Sequence, residues 1–91
     1  MSKPILEIEY CVQCSFLLRA GWMAQELLSA FAGEIDSLVL RPGGGGHFLV
    51  RLDGEVIYSR KAEGRFPDAK ELKQRVAAQL APERRFGHQE G

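Results

Sequence analysis

Cys11 and Cys14 are the only two cysteines among 91 residues, set as Cys11-Val12-Gln13-Cys14 between an apolar strand-like run and a long helical run. A pair placed where a strand ends and a helix begins brings at least one sulfur near unpaired backbone N–H groups and the positive end of the helix dipole. Both effects favour thiolate over thiol, and the thiolate is the form that attacks disulfides. Spacing and placement together point to thiol–disulfide exchange. A structural staple is the weaker reading, because a bridge between positions three apart closes a tiny loop and the loop-entropy model gives small loops the least stabilisation. Zinc usually takes four nitrogen or sulfur ligands, and only His47 and His88, 41 residues apart, remain to complete a site. No metal or cofactor is therefore assigned within one chain, while a zinc site shared between two chains stays open.

Other chemistry-bearing residues are weaker signals. The run Gly43-Gly44-Gly45-Gly46 reads either as a flexible lead-in to a hairpin or as bare backbone that lets a partner's thiol or peptide approach the cysteines. It is followed by a strand, not a helix, and so lacks the context of a phosphate-binding loop. Pro42 invites comparison with the cis-proline beside thioredoxin active sites, but the glycines separate it from the next strand. Arg60-Lys61 with Arg65 is expected to be a solvated loop, with attraction for the carboxylates of glutathione as the functional alternative. Trp22, one helical turn from Leu18, is expected at the edge of the core, and His47 on a surface strand.

The elements that must hold the cysteines follow from periodicity. Residues 4–10 alternate as a strand, with Leu6, Ile8 and Tyr10 on one side. Residues 15–32 form a helix whose stripe is Phe16, Ala20, Met23, Leu27 and Phe31, ended by Gly33. Gly21 inside it costs about 1 kcal/mol relative to alanine, for which close packing is the candidate reason. A second strand lies within residues 34–41, beginning near Asp36, and Pro42 with the glycines is expected to end regular structure there. Residues 48–52 and 55–59 make a hairpin about Asp53-Gly54, with Val56 and Tyr58 on one side of its second strand. After the polar connection 60–65, Asp68 and Glu71 form a capping-box variant that opens a helix with Ala69, Leu72, Val76 and Leu80 inward and Pro82 as its stop.

Strand, helix, strand, strand, strand, helix demands a right-handed first crossover, so the first two strands are parallel and the later hairpin antiparallel. The expected architecture is α/β (α+β): a thioredoxin-like two-layer sandwich, β-α-β-β-β-α, with a four-stranded mixed sheet and both helices on one face. The other face would carry Glu7, Glu9, Ser37, Val39, Arg41, His47, Leu49, Arg51, Glu55 and Ile57. That surface is expected to face solvent or to form a modest homodimer contact. Residues 1–82 are read as one domain and 83–91 as a flexible tail.

Twelve basic and twelve acidic residues leave a net charge of zero, which favours neither nucleic acid nor anionic lipid. No run reaches the roughly 20 apolar residues that span a bilayer, and the N-terminus lacks the apolar stretch of a signal peptide, so a cytoplasmic location is expected.

Taken in series, Tyr10-Cys11-Val12-Gln13-Cys14, Arg19-Ala20, Leu40-Arg41-Pro42-Gly43-Gly44-Gly45-Gly46-His47-Phe48, Asp53-Gly54 and Gly64-Arg65-Phe66-Pro67-Asp68 resemble the selenoprotein W-like (Rdx) redox family, the group that includes selenoproteins T, W and H. The resemblance covers residues 5–80 and implies a thioredoxin-like fold and a thiol- or selenol-based redox role; the partners expected for a Cys11–Cys14 exchange are protein thiols or glutathione. Members often carry selenocysteine at the position of Cys14. A thiol has the higher pKa, so a cysteine version implies disulfide exchange more than peroxidase-like reduction. The order of attack is a point of tension. A thioredoxin-type mechanism makes Cys11 the exposed nucleophile, alkylated first, and Cys14 the resolving thiol within the helix, and this order is favoured here. The selenocysteine position implies instead that Cys14 is the reactive one. The alternative to catalysis is an interaction module whose binding is switched by the oxidation state of the pair.

Overall fold

A computed structural model describes residues 3–80. The expected helix stop at Pro82 and the expected tail over 83–91 lie outside the described residues. Four strands, β1 (Ile5–Cys11), β2 (Ser37–Gly43), β3 (Phe48–Leu52) and β4 (Glu55–Ser59), form one sheet in the order β2-β1-β3-β4. β1 and β2 are parallel, and the β1–β3 and β3–β4 pairs are antiparallel. α1 (Leu17–Phe31) and α3 (Ala69–Gln79) supply the second layer, as expected, and a short α2 (Arg60–Glu63) stands where a polar connection was expected.

The core is built from the periodicities. Leu6 and Ile8 of β1, Phe48, Val50 and Leu52 of β3, and Tyr58 of β4 are buried against Ala20, Met23, Ala24, Leu27 and Phe31 of α1 and Leu72 and Val76 of α3. Each fully buried side chain of leucine size contributes roughly 1.5–3 kcal/mol of transfer free energy. The Asp53-Gly54 turn has φ of 51° and 85°, both left-handed, as a two-residue hairpin with the strands' own twist requires. Asp53 also fastens the turn to β1: its amide donates to the Ile5 carbonyl at 2.9 Å, and its Oδ1 accepts from the Ile5 amide at 2.8 Å.

Several expectations are corrected. β2 does not stop before Pro42; Pro42 pairs with Tyr10 and Gly43 with Cys11. β2 is an edge strand, where a residue without an N–H is tolerated. Val56 does not share a face with Tyr58. The register shifts so that Tyr58 pairs with Val50 but Val56 with Arg51. Ile57 is thus an extra, bulged residue, and Val56 is turned to the open face, exposed. Arg75 Nη1 donates to the Ile57 carbonyl at 3.0 Å, satisfying an acceptor the bulge would otherwise strand. α2 forms because Ser59 Oγ accepts from the Ala62 amide and Gly64 closes the turn at φ 80°. An added Cβ on Gly21 would meet nothing within 4 Å, so close packing does not explain that glycine. The capping box is engaged from both sides: Asp68 Oδ1 accepts from the Glu71 amide at 2.7 Å, and the Asp68 amide donates toward the Glu71 carboxylate, which also takes both guanidinium nitrogens of Arg65.

The sheet face away from α1 and α3 carries Glu7, Glu9, Arg41 and Arg51 as expected, paired across strands. The bulge instead sets Glu55, expected there, opposite Leu52 of the core face and packs Ile57, also expected there, against the core. Glu7 accepts from Arg41 Nη2 at 2.9 Å and Arg51 Nη1 at 2.6 Å, and Arg51 reaches Glu9 at 2.9 Å. The hydrogen bond from Arg41 holds the Glu7 carboxyl below the ordinary 4.5; burial opposes this and Arg51 adds to it. A carboxyl whose pKa is lowered by folding stabilises the fold fully above its unfolded value, and that stability is lost as pH falls through the folded value. The gap in unfolding free energy between wild type and Glu7→Gln is therefore expected to be constant near neutrality and to close below pH 4.5. Urea unfolding across a pH series measures it, and a gap unchanged in acid would show that the Glu7 ion pairs add nothing.

Candidate redox site

The site begins at the end of β1. The Cys11 amide donates to the His47 carbonyl at 2.9 Å, and the Val12 amide to the Gly43 carbonyl at 3.1 Å, so the chain leaving β1 is latched to both neighbouring segments. It then closes one turn on itself. The Ser15 amide donates to the Val12 carbonyl at 3.1 Å and the Phe16 amide to the Cys11 carbonyl at 3.3 Å, with Ser15 at φ 62°. This pair of bonds around a left-handed residue is the pattern that ordinarily ends a helix, with serine where glycine is usual. Cys11 and Cys14 are joined within this turn as a disulfide, their Cα atoms 5.3 Å apart.

The two cysteines differ in exposure, and in the reverse of the expected sense. Cys11 is 1% exposed and counts among the core residues, whereas Cys14 is exposed. Nor does Cys14 lie within the helix: α1 starts at Leu17 behind an N-cap at Phe16. The cause is the positive φ of Ser15, which spends the residues after Cys14 on a separate turn. The helix end remains electrostatically relevant. It has no side-chain cap and no acidic residue in its first turn, so its positive end is uncompensated beside the cysteine turn.

Phe16 connects the turn to the rest of the domain. Its ring meets Phe66 edge-on at 4.8 Å, and Phe66 meets Phe48 edge-on at 5.4 Å. The guanidinium of Arg19 lies 4.1 Å from the Phe66 centroid; that of Arg60 lies 4.9 Å from Phe66 and 5.3 Å from Phe16. Arg60 is therefore packed on aromatic faces and is not part of a solvated loop. Arg65, expected beside it, is instead tied to Glu71 at 2.7 Å. Trp22 is 51% exposed and Leu18 86%, so the tryptophan stands on the outer face of α1 and is not an edge of the core. With Val12 and Leu17, also exposed, they give the surroundings of the disulfide an apolar character.

Three of the four glycines in the run, Gly43, Gly45 and Gly46, are explained by local geometry. A Cβ on Gly43 would lie 2.6 Å from Glu9 Oε2, and Gly45 and Gly46 adopt φ of 65° and 74°, which favour glycine. The Lys61 side chain covers the loop, its Cε 3.6 Å from the position of a Gly46 Cβ, and His47 Nε2 lies 3.6 Å from that of Gly45. The lead-in to β3 thus accounts for these residues. His47 precedes β3, touching the site through its carbonyl. His88 lies outside the described residues, and among those residues no group of three or more metal-ligating side chains is assembled.

A parallel β1–β2 pair, an antiparallel hairpin and a cysteine pair at the end of β1 define a thioredoxin-like domain of redox type. The model of the Rdx family matches residues 5–78, and the chain belongs to that family. A crystal structure of a selenoprotein W-related protein from Vibrio cholerae superposes with a TM-score of 0.83 at 47% identity, over 87% of this chain and 99% of that one. A Bordetella parapertussis protein of known crystal structure gives 0.82 at 48% identity, over 85% of this chain and 98% of that one. Migration and invasion enhancer 1 is 31% identical over 70 residues in Mus musculus and 33% over 66 residues in Bos taurus, covering 76% and 71% of this chain. The matches span 58% and 55% of those curated relatives' own lengths.

Proposed function

We propose that the protein carries out thiol–disulfide exchange with protein or glutathione thiols, and that Cys14 is the sulfur that meets the substrate. The observation that carries this is the contrast in access: an exposed Cys14 bonded to a buried Cys11. In the reducing direction the Cys14 thiolate attacks a substrate disulfide, forming a mixed disulfide and releasing one substrate thiolate, which takes a proton. The Cys11 thiolate then attacks Cys14 Sγ, closing the internal disulfide and releasing the second substrate thiol. Two electrons pass to the substrate, and two molecules of a small thiol such as glutathione return them by the reverse sequence, leaving as their own disulfide. A reducing cytoplasm would supply that thiol.

The exposed Val12, Leu17, Leu18 and Trp22 favour a second reading, in which an apolar surface binds a partner and the oxidation state of the pair switches that binding without turnover. Limited alkylation of the reduced protein addresses the site itself. Peptide mapping is expected to show Cys14 labelled at least about tenfold faster than Cys11, because access and thiolate fraction set the rate. Dominant labelling of Cys11 would restore the opposite order of attack.

A further inference from the structure

Six arginines lie among the described residues, and four of them, Arg41, Arg51, Arg65 and Arg75, are each bonded to a glutamate. The two left without a carboxylate among those residues are Arg19 and Arg60, and both guanidiniums rest on the same ring, Phe66. Arg60 also faces Phe16, whose amide closes the cysteine turn on the Cys11 carbonyl. Its Nε is buried with no hydrogen-bond acceptor. Lys61 lies against the Gly45-Gly46 turn that leads into His47, the residue whose carbonyl holds the Cys11 amide.

Gathering cations in this way has a cost. Like charges repel, and an unpaired buried donor is unfavourable. Twelve acidic residues are available in the chain, yet the ion pairs among the described residues join strands of the open sheet face or involve α3, and none of them includes Arg19 or Arg60. The chain's zero net charge therefore conceals two unneutralised guanidiniums packed on Phe66, whose ring meets that of Phe16 at the end of the cysteine turn. Cations so placed favour a negative charge carried next to an incoming sulfur.

We propose that Arg19 and Arg60, with Lys61 beside them, form a cationic rim that selects substrates carrying carboxylates next to the sulfur being exchanged. This rests on the exchange reading above and adds a specificity to it. The aromatic faces fix the guanidiniums without neutralising them, since a cation–π contact leaves the N–H edges free to donate to a carboxylate. Arg19 and Arg60 are specificity-determining residues here; the bond-making atoms remain the sulfurs.

The test uses the reduced full chain and three small disulfides: dianionic 5,5′-dithiobis(2-nitrobenzoate), neutral bis(2-hydroxyethyl) disulfide and dicationic cystamine. In each, Cys14 attacks one sulfur, half of the probe leaves as a thiolate, and Cys11 displaces the other half. Rates are normalised to those with dithiothreitol, a neutral dithiol, to remove the probes' intrinsic reactivity. At low ionic strength the normalised rate for the dianion is expected to exceed that for the dication by about tenfold, an excess that high salt abolishes. Arg19→Gln with Arg60→Gln is expected to bring the ratio within about twofold of unity, with the neutral probe's rate retained as a check on the fold. Arg60→Lys, which keeps the charge, is expected to keep most of the preference. A wild-type ratio near unity, or one unmoved by the double substitution, overturns the rim. Failure to react with any of the three probes overturns the exchange reading instead. A matched pair of cysteine peptides, with aspartate or lysine beside the sulfur, and glutathione disulfide identify the source of the carboxylate. Acceleration of the aspartate peptide supports a protein client, acceleration of glutathione disulfide alone supports the tripeptide, and acceleration of neither overturns the proposal.

Discussion

Cys14→Ser is expected to bring disulfide exchange down to the uncatalysed background, a loss of about two orders of magnitude or more, because a serine hydroxyl neither ionises near neutrality nor attacks sulfur. Cys11→Ser is expected to behave differently. Its exposed Cys14 can still open a substrate disulfide, but no second thiol resolves the product, so a stoichiometric mixed disulfide accumulates. Intact-mass measurement after incubation with a disulfide probe reads the two cases directly: an adduct of one probe half on Cys11→Ser and none on Cys14→Ser. The opposite pattern would make Cys11 the attacking sulfur despite its burial. Absence of an adduct on both, with the wild type equally inert, would leave the redox-switched binding module as the surviving reading. Cys11→Ala belongs beside Cys11→Ser, since a buried hydroxyl without a partner costs about 1–3 kcal/mol at a site 1% exposed. An effect shared by both variants reports the missing sulfur and not the added polarity.

That asymmetry between the cysteines shows where sequence reading succeeds and where it fails on this chain. The sheet was legible because its signals are local: period-two alternation in β1 and β3, the Asp53-Gly54 turn, and the handedness that makes β1 and β2 parallel. α1 and α3 were legible from their apolar stripes and the Asp68 cap. Ser15 was not. A glycine after Cys14 would have announced a left-handed residue, whereas a serine at φ 62° gives no such signal, and without that turn the helix extends back to the motif and misplaces Cys14. The Ile57 bulge was hidden for a related reason. Val56-Ile57-Tyr58 is apolar throughout, so alternation cannot say which residue is the extra one, and the answer depends on Arg75 from α3 reaching the Ile57 carbonyl. Arg60 shows the third kind of failure. Residues 16, 19, 60 and 66 share no period, and their assembly depends on α2, a four-residue helix too short for periodicity to reveal.

Phe66→Ala tests whether that assembly joins the cysteine turn to the core. The ring bridges Phe16 and Phe48 at 4.8 Å and 5.4 Å and carries Arg19 at 4.1 Å and Arg60 at 4.9 Å. Removing a fully buried phenylalanine costs about 3–5 kcal/mol; Phe66 is half-buried, so about 2–3 kcal/mol is expected. In a domain of this size about 1 kcal/mol corresponds to roughly 4–8 °C in Tm, so thermal unfolding is expected to drop by about 10–20 °C. Phe66→Leu separates packing from the ring's electrostatics. It keeps much of the apolar volume, with an expected cost under about 1.5 kcal/mol, but offers the guanidiniums no π face. If the aromatic seat positions Arg19 and Arg60, Phe66→Leu loses most of the preference for anionic disulfides while unfolding near the wild-type temperature and keeping its rate with the neutral probe. A preference that survives in Phe66→Leu would mean that packing alone holds the arginines in place. A Phe66→Ala loss below about 1 kcal/mol, well short of the usual aromatic truncation, would mean that the backbone latches at His47 and Gly43, not the aromatic bridge, hold the turn against the sheet.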